Sequence, residues 1–137
     1  MKVKLLDGAV LPTRSHDTDA GLDLYARNDA VILPHDGASF DTGVCIELLP
    51  GTFGKIESRS GLNVKHGIVS CGGIIDRGYT GSIVVKLYNL SGRHYHIKAG
   101  DRIAQLIIQK YVPVDLEEVD ELTDTDRGSK GMGSSGR

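Results

Sequence analysis

The stretch GIIDRGYTG, residues 73–81, places a carboxylate directly after two isoleucines and an aromatic ring three residues later. A partly desolvated carboxylate can act as a general base. A flat ring can serve as a platform for a sugar or a nucleobase. Because glycines flank the stretch and its neighbours have strand-like sequences, we predict a β-hairpin on which Asp76 and Tyr79 face one cavity. A turn aspartate and a packing tyrosine are the alternative interpretation.

A second group of residues could bind an anion. Arg59 can place its forked guanidinium on phosphate oxygens. The amides of Ser60 and Gly61 would point the same way at the start of a short helix. The sequence predicts that helix, with Ser58 or Ser60 as its cap and Gly67 as its end. An arginine beside a helix cap is also an ordinary surface feature, so this motif alone is weak.

Isolated polar side chains add two further candidates. Gln105 interrupts the apolar run 103–108, so its amide must find hydrogen-bond partners. It is either a structural amide bonded to nearby backbone or a donor aimed at a ligand. Asp17, Asp19 and Asp23 lie close together, and carboxylates near a phosphate site favour Mg²⁺. Turn and cap roles explain Asp17 and Asp19 equally well.

The last fifteen residues differ in composition from the rest. Met132 is the only apolar residue in 123–137, and such a segment is typical of a disordered terminus. It contains GMGSSG, but a dinucleotide fingerprint must follow a strand and open a helix, and no helix is predicted here. With Arg127 nearby, its glycine amides and serine hydroxyls could still wrap a phosphate.

The elements that must position these residues are strands. Short apolar runs are repeatedly ended by Gly, Pro, Asp or Ser, a spacing typical of an all-β sandwich or barrel. In Val44, Ile46 and Leu48 the apolar residues alternate, as in a half-buried strand. The run 103–108 is apolar on both faces, which predicts a strand covered on two sides.

Composition narrows the class of protein. The formal net charge is -2 and no basic stripe is visible, so we expect no nucleic-acid partner. No apolar run reaches membrane-spanning length, and the first residues lack the apolar region of a signal peptide. Cys45 and Cys71 have no C-x-x-C spacing, and we predict two buried thiols. We therefore expect a soluble cytoplasmic protein.

Five stretches, taken in order, resemble the five motifs of the homotrimeric deoxyuridine triphosphatases, or dUTPases. The resemblance runs from about residue 20 to the last residue, and five ordered motifs form a specific signal although each is weak alone. The stretches are AGLDLYA, GKIESRSGL, GGIIDRGYTGSI, GDRIAQLII and RGSKGMGSSG.

This resemblance implies a fold and a reaction. The fold would be an all-β jelly-roll, a dUTPase-like β-clip, over 1–122, with a flexible C-terminal lid over 123–137. Three chains would form a homotrimer whose active sites lie at subunit interfaces. The reaction would be hydrolysis of dUTP to dUMP and pyrophosphate with Mg²⁺, which limits uracil incorporation into DNA and supplies dUMP for thymidylate synthesis.

The resemblance also assigns roles. Asp76 would activate water for attack on the α-phosphorus, Tyr79 would stack under deoxyribose and exclude a 2′-hydroxyl, and Asp23 would reach the metal through water. Uracil would be read by the backbone of Gly73, Ile74 and Ile75. The remaining substrate contacts would come from the phosphate motifs and the lid: Arg59, Ser60, Gly61, Gln105, Arg127, Met132, Gly133, Ser134 and Ser135.

The chain departs from the family pattern in a few places. Met132 stands where the lid usually has Phe, which would cover uracil less rigidly. Gly78 stands where an acid is common, and either Ser70 or Gly72 could meet uracil. Two alternatives remain: a dCTP deaminase-type enzyme on the same fold, and a non-catalytic dUTP-sensing module.

Overall fold

A computed structural model describes residues 1–129 of the chain. Within that range the regular structure consists of ten strands and one short helix, α1, at Ser60–His66. The strands in order are β1 Lys2–Leu5, β2 Gly21–Tyr25, β3 Ala30–Ile32, β4 Gly37–Glu47, β5 Thr52–Glu57, β6 Ile68–Ser70, β7 Gly73–Ile75, β8 Ser82–Asn89, β9 Tyr95–Ile97 and β10 Arg102–Lys110. The prediction of an all-β fold is confirmed.

The strands form two four-stranded sheets and one small ribbon. The first sheet has the order β1-β4-β8-β6, and the second has the order β2-β10-β5-β7. Strands β3 and β9 pair separately. All pairs are antiparallel, and most neighbours are distant in sequence, as expected for a jelly-roll sandwich.

One apolar cluster holds the two sheets together. Strand β8 alternates buried and outward residues along its length, and β5 does the same. The inward side chains of both sheets meet in a single core. The largest fully buried apolar members are Leu24, Ile32, Val44, Ile68, Ile83, Val85, Leu87, Ile103 and Leu106.

Strands β4 and β10 match their predicted patterns with one refinement. Val44, Ile46 and Leu48 are buried while Glu47 is exposed, as the alternation predicts. Cys45 is also buried, since β4 lies between β1 and β8. In β10 the three buried residues are Ile103, Ala104 and Leu106, and the strand lies between β2 and β5.

The predicted helix is present, but its cap differs. Gly67 ends α1 in the left-handed conformation at φ 67°, and its N–H bonds back into the last turn. The N-cap is Arg59, with no side-chain cap bond, so the prediction of Ser58 or Ser60 as cap is wrong. The Ser58 hydroxyl instead accepts a hydrogen bond from the Ser70 N–H at 2.8 Å. Ser58 is thus used to join the end of β5 to β6.

The predicted hairpin around Asp76 is not formed. Strand β7 pairs with β5 in the second sheet, whereas the following β8 pairs with β4 and β6 in the first. Residues 76–81 therefore carry the chain from one sheet to the other. The Tyr79 N–H bonds to the Asp76 carbonyl at 2.9 Å, which closes a tight turn at the start of this crossing.

Two further observations concern the cysteines and the last described residues. Cys45 is buried as predicted, but Cys71 is exposed, because it lies in the short link between β6 and β7. From residue 111 to residue 129 there is neither helix nor strand, and every residue is exposed. No helix within residues 1–129 is both long enough and apolar enough to cross a membrane.

Candidate active site

The four residues predicted for the phosphate-binding motifs and Asp23, predicted for the metal, all line one polar pocket. This pocket, which we call the arginine pocket, has a volume of about 280 Å³. Strands β2, β5 and β10 and the first turn of α1 bring its walls together. Its lining includes Asp23, Arg59, Ser60, Gly61 and Gln105, together with Ser15, Asp19, Ala20 and Gly21.

Asp23 lies at the centre of the arginine pocket between two guanidinium groups. Its side chain is 12% exposed, and Arg59 Nε lies 2.9 Å from one carboxylate oxygen. Arg102 Nη1 lies 3.3 Å from the other. The same Arg102 nitrogen donates to Ser15 Oγ at 3.0 Å, and Arg59 Nη1 donates to the Arg102 carbonyl at 3.2 Å. One carboxylate thus binds two guanidinium groups, each of which has further N–H groups that can donate to a ligand.

Strand register explains why these groups meet. Gln105 of β10 pairs with Asp23 of β2 on one side and with Glu57 of β5 on the other. Directly paired residues project from the same face of a sheet, so the three polar side chains form a row. Arg59 follows two residues after Glu57, where the chain turns into α1.

Gln105 has the first of the two roles that the sequence left open, and the second, a donor aimed at a ligand, stays a prediction. Its amide Nε2 donates to the Ser58 carbonyl at 2.9 Å, so it is a structural amide that holds the end of β5. It also lines the arginine pocket. A Cβ on Gly21 would overlap Gln105 Oε1, so glycine at that position makes room for the amide.

The start of α1 is open towards the arginine pocket. No side chain caps its first amides, and Ser60 and Gly61 both line the pocket. Leu62 packs against the core and fixes the helix in place. The charge of Arg59 also reaches Tyr95: burial and then Asp101 raise the pKa of the Tyr95 phenol, and Arg59 opposes that rise.

Asp76 and Tyr79 line a second pocket, as the sequence predicts, although no hairpin holds them. This Asp76 pocket has a volume of about 300 Å³ and includes the backbone of 73–75 and the side chains of Ile56 and Val84. Asp76 also borders an adjoining hollow of about 400 Å³ beside Phe53 and Tyr111. Within residues 1–129 its exposed carboxylate has no hydrogen-bond or ion-pair partner.

The ring of Tyr79 is fixed by its neighbours. Its hydroxyl donates to the Ser82 carbonyl at 2.7 Å. A Cβ on Gly81 would lie 2.7 Å from the tyrosine oxygen and 2.8 Å from Cζ, closer than packed atoms come. Gly81 therefore lets the ring lie against the chain, while 45% of Tyr79 remains exposed.

Strand β7 forms an open edge of the second sheet. It pairs with β5 through Gly73, Ile74 and Ile75, and no other strand of the described chain bonds to it. Its outer edge therefore presents backbone N–H and C=O groups to the Asp76 pocket. Such groups can bond the polar edge of a flat ring.

The two pockets occupy opposite corners of the second sheet. Asp23 lies on β2, level with Glu57, whereas Ile75 pairs with Gly54, so Asp76 lies level with Phe53. Strands are ~4.8 Å apart and rise ~3.3 Å per residue, so the two aspartates are separated by roughly 14 Å across the sheet and 13 Å along it.

Ligands for a metal are sparse in the described chain. No group of three or more His, Cys, Asp or Glu side chains within residues 1–129 could hold a metal ion by itself. The arginine pocket nevertheless offers Asp23 and Asp19 to a cation. This fits Mg²⁺, which keeps several waters and is typically held by one or two carboxylates plus substrate phosphates.

Other predicted site residues fall elsewhere. Arg127 is exposed, next to a turn closed by the Gly128 N–H and the Thr125 carbonyl at 2.9 Å. Met132, Gly133, Ser134 and Ser135 lie outside the described residues. Asp17 does not line the arginine pocket, and the Asp19 carboxylate accepts the His16 N–H at 2.9 Å, which is the turn role that the sequence allowed.

Sequence reasoning missed Arg102, Ser15, Gly21 and Gly81. Arg102 comes directly before a buried run and three residues before Gln105, a position that could have drawn attention. The two glycines matter only because a neighbouring side chain fills the space that a Cβ would need. Such a requirement cannot be read from the chain itself.

Comparison with known proteins identifies the relatives of this arrangement. The family model described as dUTPase matches residues 7–136. A deoxyuridine 5'-triphosphate nucleotidohydrolase from Corynebacterium glutamicum is 48% identical, over 100% of this chain and 95% of its own length. The enzyme of that name from Mus musculus is 43% identical, over 98% of this chain and 83% of its own length.

Solved structures of dUTPases superpose closely on this chain. A mutant dUTPase of Staphylococcus bacteriophage 80alpha with bound dUpNHpp superposes with a TM-score of 0.92 at 31% identity, covering 99% of this chain and 98% of its own. A mutant dUTPase from phage phi11 of S. aureus, described with a structural Mg(II) ion, gives a TM-score of 0.82 at 29% identity. It covers 88% of this chain and 96% of its own.

Proposed function

The chain belongs to the dUTPase family, and from that premise we propose that it hydrolyses dUTP to dUMP and pyrophosphate by attack of water on the α-phosphorus. The observation that carries this proposal is the Asp76 pocket, in which a carboxylate without a partner among residues 1–129, a fixed aromatic ring and an open strand edge share one cavity. The arginine pocket supplies the complementary charge for a triphosphate.

Asp76 is the base in this reaction. Its carboxylate accepts a proton from water as the water oxygen bonds to the α-phosphorus. The bond from that phosphorus to the bridging oxygen breaks, and pyrophosphate leaves with the bonding pair. A positioned base contributes about 10²–10⁴-fold to such a step. No side chain or backbone group of residues 1–129 bonds to this carboxylate, so both of its oxygens are available to water.

Nucleoside selection depends on the same pocket. The ring of Tyr79, held by Ser82 and Gly81, lies under the sugar and leaves no space for a 2′-hydroxyl. The open edge of β7 bonds the polar edge of uracil through the backbone of Gly73 to Ile75. Backbone groups are the same whatever side chain a residue carries. Recognition of uracil through the backbone is therefore compatible with the exposed side chain of Ile74.

The arginine pocket binds the phosphate chain. Arg59 and Arg102 neutralise negative charge, and the open amides of Ser60 and Gly61 donate to phosphate oxygens. Asp23, acting through water, and the phosphate groups of the substrate would together hold Mg²⁺. When bound, it would supply charge neutralisation that lets a nucleophile approach a polyanion.

A second copy of the chain completes each site. Within one chain Asp76 and Asp23 lie at opposite corners of a sheet, too far apart for both pockets to act on one phosphate chain. In a homotrimer the Asp76 pocket of one subunit meets the arginine pocket of the next. The lid, with Arg127, Met132, Gly133, Ser134 and Ser135, would then close over base and γ-phosphate and exclude bulk water.

The reaction is tested by measuring pyrophosphate release from dUTP, dTTP, dCTP and UTP with Mg²⁺. We expect release from dUTP far above the other three. In ¹⁸O-water the label should appear in dUMP and be absent from pyrophosphate. Label in phosphate released from the γ-position would contradict α-attack. Ammonia released from dCTP would instead establish a deaminase, and tight dUTP binding without turnover would establish a sensing module.

A further inference from the structure

A second cluster of cationic side chains lies at the far end of α1 from Arg59. It surrounds a pocket of about 430 Å³ between the end of the helix and the loop 90–94, which joins β8 to β9. We call it the basic pocket. The side chains that define it are Lys65, His66, Ser91, Arg93, His94 and Tyr95.

The charge of the basic pocket is uncompensated. No carboxylate of the described residues lines it. Within residues 1–129, the side chains of Lys65, Arg93 and His94 form neither a salt bridge nor a hydrogen bond. The arginine pocket differs, because there Arg59 and Arg102 share one aspartate. In a chain whose net charge is -2, the two unpaired cations Lys65 and Arg93 beside one concave surface indicate an anionic ligand.

Hydrogen bonds from buried and neighbouring groups hold the loop that carries Arg93 and His94 in place. Asn89 is fully buried, and its amide Nδ2 donates to the Arg93 carbonyl at 2.7 Å. Its Oδ1 accepts the Ser91 N–H at 3.0 Å and the Ser91 hydroxyl at 2.7 Å. The Leu90 N–H bonds to the Gly67 carbonyl at 2.9 Å, which ties the loop to the end of α1.

The side chains that line the basic pocket include aromatic rings. The rings of His66 and Tyr95 lie 5.2 Å apart between centroids and are tilted by 50°. The pocket therefore combines cationic and aromatic side chains. Its volume falls within the ~300–1,000 Å³ typical of small-molecule sites. A long polyanion would need a continuous basic stripe, which the chain lacks.

We propose that the basic pocket binds a small phosphate-bearing anion, distinct from the substrate held in the arginine pocket. The Arg93 guanidinium forks onto phosphate oxygens, and Lys65 supplies a point charge from the opposite side. Helix α1 separates the two sites by roughly 10 Å, at ~1.5 Å per residue. Both sites can therefore be occupied at once. The anion is either an inorganic phosphate or the phosphate group of a nucleotide.

An NMR titration of the ¹⁵N-labelled full chain tests this site directly. The probes are pyrophosphate, inorganic phosphate and dUMP, each added separately. We expect saturable shifts of the backbone amides of residues 65–67 and 91–94 with at least one probe. A response to pyrophosphate or phosphate identifies an inorganic anion, and a response confined to dUMP identifies a nucleotide.

A matched pair of variants separates the basic pocket from general charge. The double variant Lys65→Gln, Arg93→Gln should weaken binding at residues 91–94 at least tenfold. The double variant Lys4→Gln, Lys110→Gln removes the same amount of charge elsewhere on the chain. It should change the affinity measured at residues 91–94 less than twofold. Because the loop is held by backbone groups and Asn89, the fold should persist. If the first double variant unfolds, the single variant Arg93→Gln is used in its place for the same binding measurement.

Two results would overturn the proposal. Shifts confined to residues 59–61 with every probe would place all anion binding in the arginine pocket. Equal affinity in the pocket variant and the charge-matched variant would show that Lys65 and Arg93 do not form a site. Neither result bears on dUTP hydrolysis, whose readout is pyrophosphate release, so the two proposals fail separately.

Discussion

The arginine pocket and the Asp76 pocket are organised in opposite ways. In the first, ion pairs and backbone hydrogen bonds fix Asp23, Arg59, Arg102 and Gln105 within one chain. In the second, Asp76 is exposed without a partner in the described chain, beside an unpaired strand edge. Paired charges are thus built into the fold of the first pocket, whereas the carboxylate that we propose as the base is open to solvent. Changes in the two pockets should therefore have different consequences for stability and for turnover.

The largest expected effect is on turnover, from Asp76→Asn. Removal of the base should lower kcat by about 10²–10⁴-fold. Because the carboxylate has no bonding partner in the described chain, the melting temperature should stay unchanged. Steady-state kinetics and thermal unfolding check both parts, with Asp120→Asn as a control for loss of an exposed carboxylate. Retained turnover in Asp76→Asn would show that another group takes the proton.

The contrasting variant is Asp23→Asn, which should lose stability as well as activity. It leaves Arg59 and Arg102 close together without their shared carboxylate. Breaking a fully buried pair costs about 3–5 kcal/mol, and this pair is partly exposed, so we expect about 2–3 kcal/mol. Urea unfolding measures the loss. If Asp23→Asn were as stable as the unmodified chain, the ion pairs would not be what orders the arginine pocket.

A third variant tests the fixed ring. In Gly81→Ala the new Cβ would collide with Tyr79 and displace it, so discrimination between dUTP and UTP should fall about tenfold, the equivalent of about 1.4 kcal/mol. Tyr79→Ala should admit UTP in the same way. Tyr79→Phe keeps the ring and serves as the control. The ratio of kcat/KM for the two nucleotides is the measurement, and an unchanged ratio in Gly81→Ala would refute the steric argument.

The smallest expected effect lies outside both pockets, at Asp41. The hydrogen bond from Ser82, then the Gly43 N–H and the charge of Arg27, lower the pKa of this carboxyl below its usual 3.8. A lowered folded pKa means that the stabilisation is present above pH 3.8 and is lost as pH falls through the folded value. The free energy of unfolding should therefore decline below about pH 4, and less steeply in Asp41→Asn. Because Asp41 is exposed, the difference should be small.

Local patterns were sufficient to predict much of the architecture. The burial of Val44, Ile46 and Leu48 and the glycine that ends α1 follow from short segments, and both were predicted correctly. The run 103–108 was predicted to be covered on two sides, and it is only partly so: Ile103, Ala104 and Leu106 are buried, whereas Ile107 and Ile108 are half-buried. The hairpin at Asp76 was predicted wrongly, because strand pairing depends on distant partners: β7 bonds to β5 rather than to the adjacent β8. The cap of α1 was missed for a similar reason, since Ser70 engages the Ser58 hydroxyl.

The residues of the candidate site also divide into those that short segments predict and those that depend on distant contacts. Asp76 and Tyr79 are close in sequence, so their shared cavity could be predicted. Arg102 was missed because its partner, Asp23, lies 79 residues away. Gly21 and Gly81 were missed because their importance arises from Gln105 and Tyr79, whose positions follow from register and turn geometry.

The sequence by itself determined the chemical groups, the strand-rich class and the order of motifs, since each is carried by residue types within a short window. Only the tertiary structure decided that one carboxylate orders two arginines, that β7 is an edge, and that the two pockets lie at opposite corners of a sheet. The physical reason is that pairing register and sheet order are set by contacts between distant segments. Those contacts depend on the energy of the whole core, which no single segment specifies.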